Sequence, residues 1–262
     1  MIKLIASDLD GTLLKNGSQE LTPRALDLIR RLTDKGIRFV AASGRQYANE
    51  RHVFHPIRDR ISYIAENGSL CVHQGKVISR GILPDDLARR IIHEIKKEPG
   101  FEVVVSREEA CFMENNNSLL VDHIVNVMKN STVIIDDITK VPFPVIKISV
   151  ANMTTNDLNG YLRHLQEMFS SEINVVTSGN VWIDFIVPGY NKGTALKRFM
   201  DLFGVSPKEC MAFGDQYNDV EMLQLAGESY AMSDAAPGIA GYAAHVTDSV
   251  EDVLEELLRS LP

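Results

Sequence analysis

The sequence predicts an α/β fold: a Rossmann-like core on a parallel sheet, interrupted by an inserted α+β domain. Three observations predict it. Apolar runs of strand length alternate with amphipathic helical stretches at both ends of the chain. The middle instead shows helices followed by strand pairs around turns, a mark of antiparallel α+β structure. In the outer parts, the polar residues able to do chemistry each come directly after an apolar run. That is where the carboxyl end of a parallel strand presents them.

Lys3 to Ser7 is a short apolar run broken by Asp8 and Asp10-Gly11, which reads as a buried strand ending in a turn. Thr22-Pro23 offers an N-cap with proline at the first helical position. Leu26, Ile29, Leu32 and Thr33 then share a helical face, and Gly36 ends the helix. Arg38 to Ala42 is a second strand, closed by Ser43-Gly44, and Ile61 to Ala65 a third, closed by Asn67-Gly68. Strand, helix, strand in this order makes a βαβ unit with parallel pairing.

Leu70 to Ile82 alternates around Gln74-Gly75 and reads as a hairpin. A helix from Pro84 to Lys97 places Leu87, Ile91 and Ile95 on one face. Phe101–Ser106 and Ala110–Asn115 follow as paired strands, then a weaker helix over Leu119–Lys129 and a strand over Val145–Val150. Asn156 to Phe169 is amphipathic through Leu158, Leu162, Leu165 and Phe169, and Ile173–Thr177 and Trp182–Ile186 pair across Ser178-Gly179-Asn180. From Pro188 the βα rhythm returns: a helix over Lys192–Phe203, a strand over Cys210–Phe213, a helix from Asp219, a strand over Ser229–Met232, and a closing helix over Ser249–Leu261. The division this gives is a core of residues 1–82 and 188–262 with an insert of 83–187.

Composition narrows the function. The 262 residues are 45% apolar and 24% charged, enough to bury a full core. The net charge of −8 is the reverse of a nucleic-acid binder's basic excess. No stretch approaches the roughly 18 apolar residues of a membrane span, and the N-terminus does not read as a signal peptide. Cys71, Cys111 and Cys210 are scattered, odd in number and without CxxC spacing, so they read as small buried thiols in a reducing cytoplasm. No heptad or long apolar edge indicates an oligomeric state.

Four segments carry chemistry. In Asp8-Leu9-Asp10-Gly11-Thr12-Leu13, residues two apart on a strand point the same way, so Asp8 and Asp10 leave its end together. Two adjacent carboxylates need a cation or a shared proton. They suit covalent catalysis, one as nucleophile and the other as acid and base. Ala42-Ser43-Gly44-Arg45 offers a hydroxyl, backbone N–H groups and a cation for phosphate. In Asn191-Lys192-Gly193, a lysine begins a helix, where the dipole disfavours a cation unless an anion lies close. Phe213-Gly214-Asp215-Gln216-Tyr217-Asn218-Asp219 brackets a turn with two acids, the oxygen donors that Mg²⁺ requires. Each segment alone has an ordinary structural explanation. Together they form an inventory for phosphoryl transfer.

Asp8-Leu9-Asp10-Gly11-Thr12, Ser43, Lys192 and Gly214-Asp215 with Asn218-Asp219 resemble, in order and wording, the four motifs of the haloacid dehalogenase superfamily of phosphohydrolases. The position of the insert, Glu66-Asn67-Gly68 and Asn191-Lys192-Gly193-Thr194-Ala195-Leu196 resemble its Cof-type subclass IIB. One departure stands out: Met232-Ser233-Asp234-Ala235 where such proteins often read Met-Gly-Asn-Ala. The resemblance implies that Asp8 is the nucleophile and forms an aspartyl-phosphate. Asp10 then protonates the leaving oxygen and deprotonates the attacking water. It implies Mg²⁺ held by Asp8, the Asp10 backbone carbonyl and Asp215, with Asp219 orienting a metal-bound water. Phosphate contacts fall to Ser43, Gly44, Arg45 and Lys192, and to Asn218. The insert would be a lid that selects the leaving group.

The expected activity is hydrolysis of small phosphomonoesters such as sugar phosphates. A sugar phosphomutase and a non-catalytic sensor of phosphorylated metabolites stand as alternatives, and a dehalogenase, which would lack Asp10, as a remoter one. Within the insert, Arg107, Glu114, Asn115, Asn116 and Asp184 read as solvated positions, and Trp182, like Tyr190 beyond it, as packing.

Overall fold

The computed structural model describes residues 1–115, 117–154, 158–178 and 182–261. Its elements run β1 (Leu4–Ser7), α1 (Pro23–Asp34), β2 (Arg38–Ala42), α2 (Tyr47–Val53), β3 (Ser62–Ala65), β4 (Leu70–His73), β5 (Lys76–Arg80) and α3 (Asp85–Ile95). Then come β6 (Glu102–Ser106), β7 (Cys111–Met113), α4 (Leu119–Asp122), β8 (Thr132–Ile134), β9 (Lys147–Ala151), α5 (Asn159–Phe169), β10 (Asn174–Ser178) and β11 (Trp182–Ile186). The chain closes with α6 (Lys192–Phe203), β12 (Cys210–Gly214), α7 (Val220–Leu225), β13 (Glu228–Met232), β14 (His245–Thr247) and α8 (Val250–Ser260).

These strands form two sheets. The larger has the order β14-β13-β12-β1-β2-β3-β4-β5. It is parallel from β14 to β3 and ends in the antiparallel hairpin of β4 and β5. Its two faces are packed separately, as helices on both sides of a parallel sheet require. Ile5 faces Leu28, Ile29 and Leu254 on one side. Leu4 and Ala6 face Leu196, Phe199 and Met222 on the other. The smaller sheet, β10-β11-β9-β6-β7-β8, is antiparallel except for the β7–β8 pair. Its own apolar layer gathers Ile91, Ile95, Ile148, Val150, Phe169, Ile183 and Phe185.

Local sequence accounts for the elements. Thr22 Oγ1 accepts from Ala25 N at 3.0 Å and Pro23 opens α1, while Gly36, at φ +87°, takes the left-handed turn after it. The buried face of α1 is Ala25, Leu28, Ile29 and Leu32. Leu26 and Thr33, expected there, are only half-buried. The stretch expected as a helix to Lys129 is α-helical only to Asp122 and continues as a π-turn over 123–127. The helix expected from Asp219 begins at Val220, after a tight turn over Tyr217–Asp219. Short β8 and β14 carry no readable alternation, and neither they nor α2 is expected from the sequence. Asn116, the Asn156 start and the Gly179-Asn180 turn lie outside the described residues. All three cysteines are free and buried. No helix among the described residues is long and apolar enough to cross a membrane.

Candidate active site

β1 and β12 lie side by side in parallel, so their carboxyl ends deliver Asp8 and Asp215 to the same edge. The sharp departure after β1 uses Gly11 at φ +88°, and a Cβ there would stand 2.3 Å from Asp215 Oδ2. Only glycine permits both the turn and the approach. Thr12 Oγ1 donates to Asp215 Oδ1 at 2.8 Å and fixes that carboxylate.

Lys192 is the centre of charge. Asn191 caps α6 by accepting from Thr194 N at 2.7 Å while Thr194 Oγ1 accepts from Asn191 N at 3.0 Å. This sets Lys192 as the first residue of the helix, with its ammonium 2.5 Å from Asp8 Oδ1 and 2.6 Å from Asp219 Oδ1. The helix start that disfavours a cation is thus offset by two carboxylates. Burial works to lower the Lys192 ammonium, but Asp219 and Asp8 outweigh it and hold the group above its ordinary range. Burial pushes the Asp8 carboxyl well above the usual carboxylate range. Lys192 opposes this, and Asp219, Asp215 and Asp10 add to it. Asp215 is also raised, chiefly by burial. Asp219 Oδ2 accepts from the backbone N–H of Asp215 and of Gln216, each at 3.0 Å, and so shapes the turn after β12.

Asp10 stands apart from this cluster, and its side chain is 55% exposed. Arg45 grips it with two arms, Nε to Oδ2 at 2.7 Å and Nη2 to Oδ1 at 2.5 Å, while Nη1 donates to Asn49 Oδ1 at 2.9 Å. Ser43 is buried at the end of β2, and its Oγ accepts from Arg45 N at 3.1 Å.

Above these groups lies a cavity of about 360 Å³. Asp8, Asp10, Ser43 and Gly44 line its floor, and Lys147, Ser149, Trp182 and Asp184 of the smaller sheet line its roof. The two sheets are joined across it. Lys147 Nζ lies 2.6 Å from Glu66 Oε2 and 2.9 Å from the Gly44 carbonyl. Asn67 Nδ2 donates to Asp184 Oδ2 at 2.8 Å, and Gln46 exchanges two hydrogen bonds with the Ser131 backbone at 3.1 and 2.9 Å.

Known proteins fit this arrangement. A family model described as haloacid dehalogenase-like hydrolase matches residues 5–257. This chain belongs to the haloacid dehalogenase-like hydrolase family. Among curated relatives, 5-amino-6-(5-phospho-D-ribitylamino)uracil phosphatase of Escherichia coli K12 is 28% identical over 98% of this chain and 97% of its own. An HMP-PP phosphatase of Escherichia coli O6:H1 is 28% identical over 94% and 89%. Among solved structures, a protein of Eubacterium rectale is 31% identical with a TM-score of 0.85, over 98% of this chain and 99% of that one.

For a haloacid dehalogenase-like hydrolase, the donor set invites a metal. Asp8, Asp215 and Asp219 each place an oxygen within 4.8 Å of the others in buried surroundings, with Lys192 between two of them. Hard oxygen donors with excess negative charge fit a small divalent cation. Asp219 holds Lys192 on one oxygen and two backbone N–H groups on the other, Asp215 accepts from the Thr12 hydroxyl and the Gln216 amide, and Asp8 holds Lys192 through Oδ1.

Several expected roles change. The Asp10 side chain lies outside the three-carboxylate cluster and pairs with Arg45 instead. Arg45, expected at the phosphate, has its guanidinium hydrogen-bonded to Asp10 and Asn49. Asn218 lines the cavity, but its amide nitrogen donates to Asn67 Oδ1 at 2.9 Å rather than into the cavity. Asp184, expected in solvent, is 1% exposed on the cavity roof, and Trp182, expected as packing, also lines the cavity. Arg107 and Glu114 lie elsewhere, on the Pro144 carbonyl and on Lys96, and the Tyr190 hydroxyl donates to the Arg80 carbonyl. The departing Ser233-Asp234 pair faces outward to Asp248 and Lys15, while Ala236 N donates to the Asp215 carbonyl at 2.8 Å.

Sequence reasoning gave no role to Thr12, Gln46, Asn49, Glu66, Asn67 or Lys147. The available signal was alternation. Lys147-Ile148-Ser149-Val150 and Trp182-Ile183-Asp184-Phe185 put apolar residues in the core at every second place, and their polar partners therefore share the opposite face.

Proposed function

We propose that this protein hydrolyses phosphomonoesters of small metabolites, sugar phosphates among them, by way of an aspartyl-phosphate on Asp8. The observation that carries this reading is the pairing of a buried Asp8–Lys192 ion pair with an Arg45-held Asp10, both facing one cavity. The relatives named as phosphatases support it.

An oxygen of Asp8 attacks phosphorus, and the bond from phosphorus to the leaving oxygen breaks. Asp10 gives its proton to that oxygen, and the alcohol departs. Asp10 then takes a proton from water, whose oxygen attacks phosphorus, and the bond to Asp8 breaks to release phosphate. Lys192 offsets charge on Asp8 throughout. The Ser43 hydroxyl and the backbone at Gly44 hold phosphate oxygens. Asp8, Asp215 and the Asp10 backbone carbonyl would hold Mg²⁺, which when bound supplies positive charge to the phosphate oxygens. Residues 83–187 act as a cap that excludes water and admits the leaving group, over a core of 1–82 and 188–262.

The test is phosphate release from a broad panel of phosphomonoesters, with Mg²⁺, with a chelator, and in Asp8→Asn. Release that needs Mg²⁺ and vanishes in Asp8→Asn supports the reading. Isomer formation without release would point to a mutase, and binding without either reaction to a sensor.

A further inference from the structure

The cavity floor is common to any phosphate ester, so discrimination among esters falls to the roof. Three ionisable side chains meet there: Lys147 on β9 and Asp184 on β11 from the roof, and Glu66 just after β3 from the larger sheet's side. Lys147 is 5% exposed, and its ammonium meets Glu66 Oε2 at 2.6 Å, the Gly44 carbonyl at 2.9 Å and Asp184 Oδ1 at 3.8 Å. Two hydrogen bonds, to Glu66 and to the Gly44 carbonyl, and the nearby Asp184 carboxylate pair the cation on the protein's own groups. Arg45, the other basic side chain of fixed charge on the cavity wall, is committed to Asp10 and Asn49. Among the described residues lining the cavity, both the lysine and the arginine are paired with carboxylates, and the one further basic side chain is His123. This cluster carries one positive against two negative charges, and its carboxylates accept hydrogen bonds without donating any. Beside them, Trp182, Val104, Ile124 and Met128 offer an apolar wall.

We propose that the Glu66–Lys147–Asp184 cluster selects phosphomonoesters whose leaving group is uncharged and bears hydroxyl or amino donors, and rejects a leaving group carrying a carboxylate or a second phosphate. This rests on the phosphatase reading above and adds the substrate class. An anion brought into the cavity meets buried negative charge, with Lys147 and Arg45 already paired to carboxylates. At an effective dielectric of about 20, like charges about 8 Å apart repel enough to change affinity roughly thirtyfold. An uncharged polyol or amino-substituted ring avoids that repulsion, donates to the carboxylates and lays its carbon skeleton against Trp182.

The test uses a matched pair, glucitol phosphate and phosphogluconate, which differ by a hydroxymethyl group against a carboxylate. Each is measured as a competitor of p-nitrophenyl phosphate hydrolysis in the wild type, in Glu66→Gln and in Asp184→Asn. The wild type is expected to be inhibited by glucitol phosphate at about thirtyfold lower concentration. In the variants, which remove one negative charge each while keeping side-chain shape, that ratio is expected to fall towards one. Two isosteric variants guard against one of them failing to fold. Equal inhibition by both compounds in the wild type, or a ratio unchanged in a folded variant, overturns the proposal. Failure to hydrolyse p-nitrophenyl phosphate at all overturns the phosphatase reading and the proposal together.

Discussion

Replacing Lys192 with methionine should expose how much of this protein's stability hangs on one ammonium. The Lys192 side chain has no solvent exposure and is shared by Asp8 and Asp219. Methionine keeps most of the volume, so the cavity contribution is small. The electrostatic contribution is not. The two carboxylates have oxygens within 4.8 Å of each other, and at an effective dielectric of about 20 their repulsion is about 3 kcal/mol. Losing one partner of a buried ion pair costs about 3–5 kcal/mol in general, which agrees. The expected loss at neutral pH is therefore about 3–4 kcal/mol, read by denaturant unfolding in chelator.

The pH dependence has a defined sign. Asp8 already sits above its unfolded value because of burial, and Lys192 is the contribution that lowers it. Without Lys192 it rises further. A group raised in the folded state stabilises below its unfolded pKa, and that stability is lost as pH climbs through the folded value. The deficit of Lys192→Met should thus grow as pH rises above the ordinary carboxylate range, and shrink when Asp219→Asn is added. A loss below about 1 kcal/mol, or a deficit indifferent to Asp219→Asn, would refute the reasoning.

Other expectations can be checked alongside. Arg45→Lys removes the two-armed grip on Asp10, and kcat should fall about a hundredfold while KM moves little, since acid–base assistance contributes at least that much. Gly11→Ala forces a side chain into φ +88° and onto Asp215. It should lose about 1–3 kcal/mol in unfolding and most of the activity. Asn191→Ala deletes the cap of α6, costing about 1 kcal/mol in thermal or denaturant unfolding. It should also lower kcat, because the residue it positions is Lys192.

Most of the core was legible because most of its elements carry a local signature, α2 and β14 being the exceptions. β2 and α6 occur where their apolar run and cap place them, and Asp8, Ser43, Lys192 and Asp215 each follow a strand or open a helix. The inserted sheet was legible in outline, through α3, β6, β10 and β11. What stayed hidden depends on one sheet lying over the other. Asp184 and Lys147 have the alternation of a solvated strand face, and only the core beneath them turns that face into a buried roof. Nothing local in the sequence reveals that Arg45 pairs through two nitrogens with Asp10, 35 positions earlier. β8 and β14 are three residues each, too short to show a period.

The central claim is a covalent phosphoryl group on Asp8, and it can be observed directly. Asp10→Asn removes the base of the water step. An ester such as p-nitrophenyl phosphate, whose leaving group departs without a proton, needs no acid in the first transfer, so with it the intermediate should accumulate. A single turnover of that variant with that ester, quenched in acid and read by peptide mass, should show one phosphoryl adduct on the peptide that carries Asp8. Phosphate release through many turnovers with no adduct on that peptide, in conditions where an aspartyl-phosphate survives, would contradict the account.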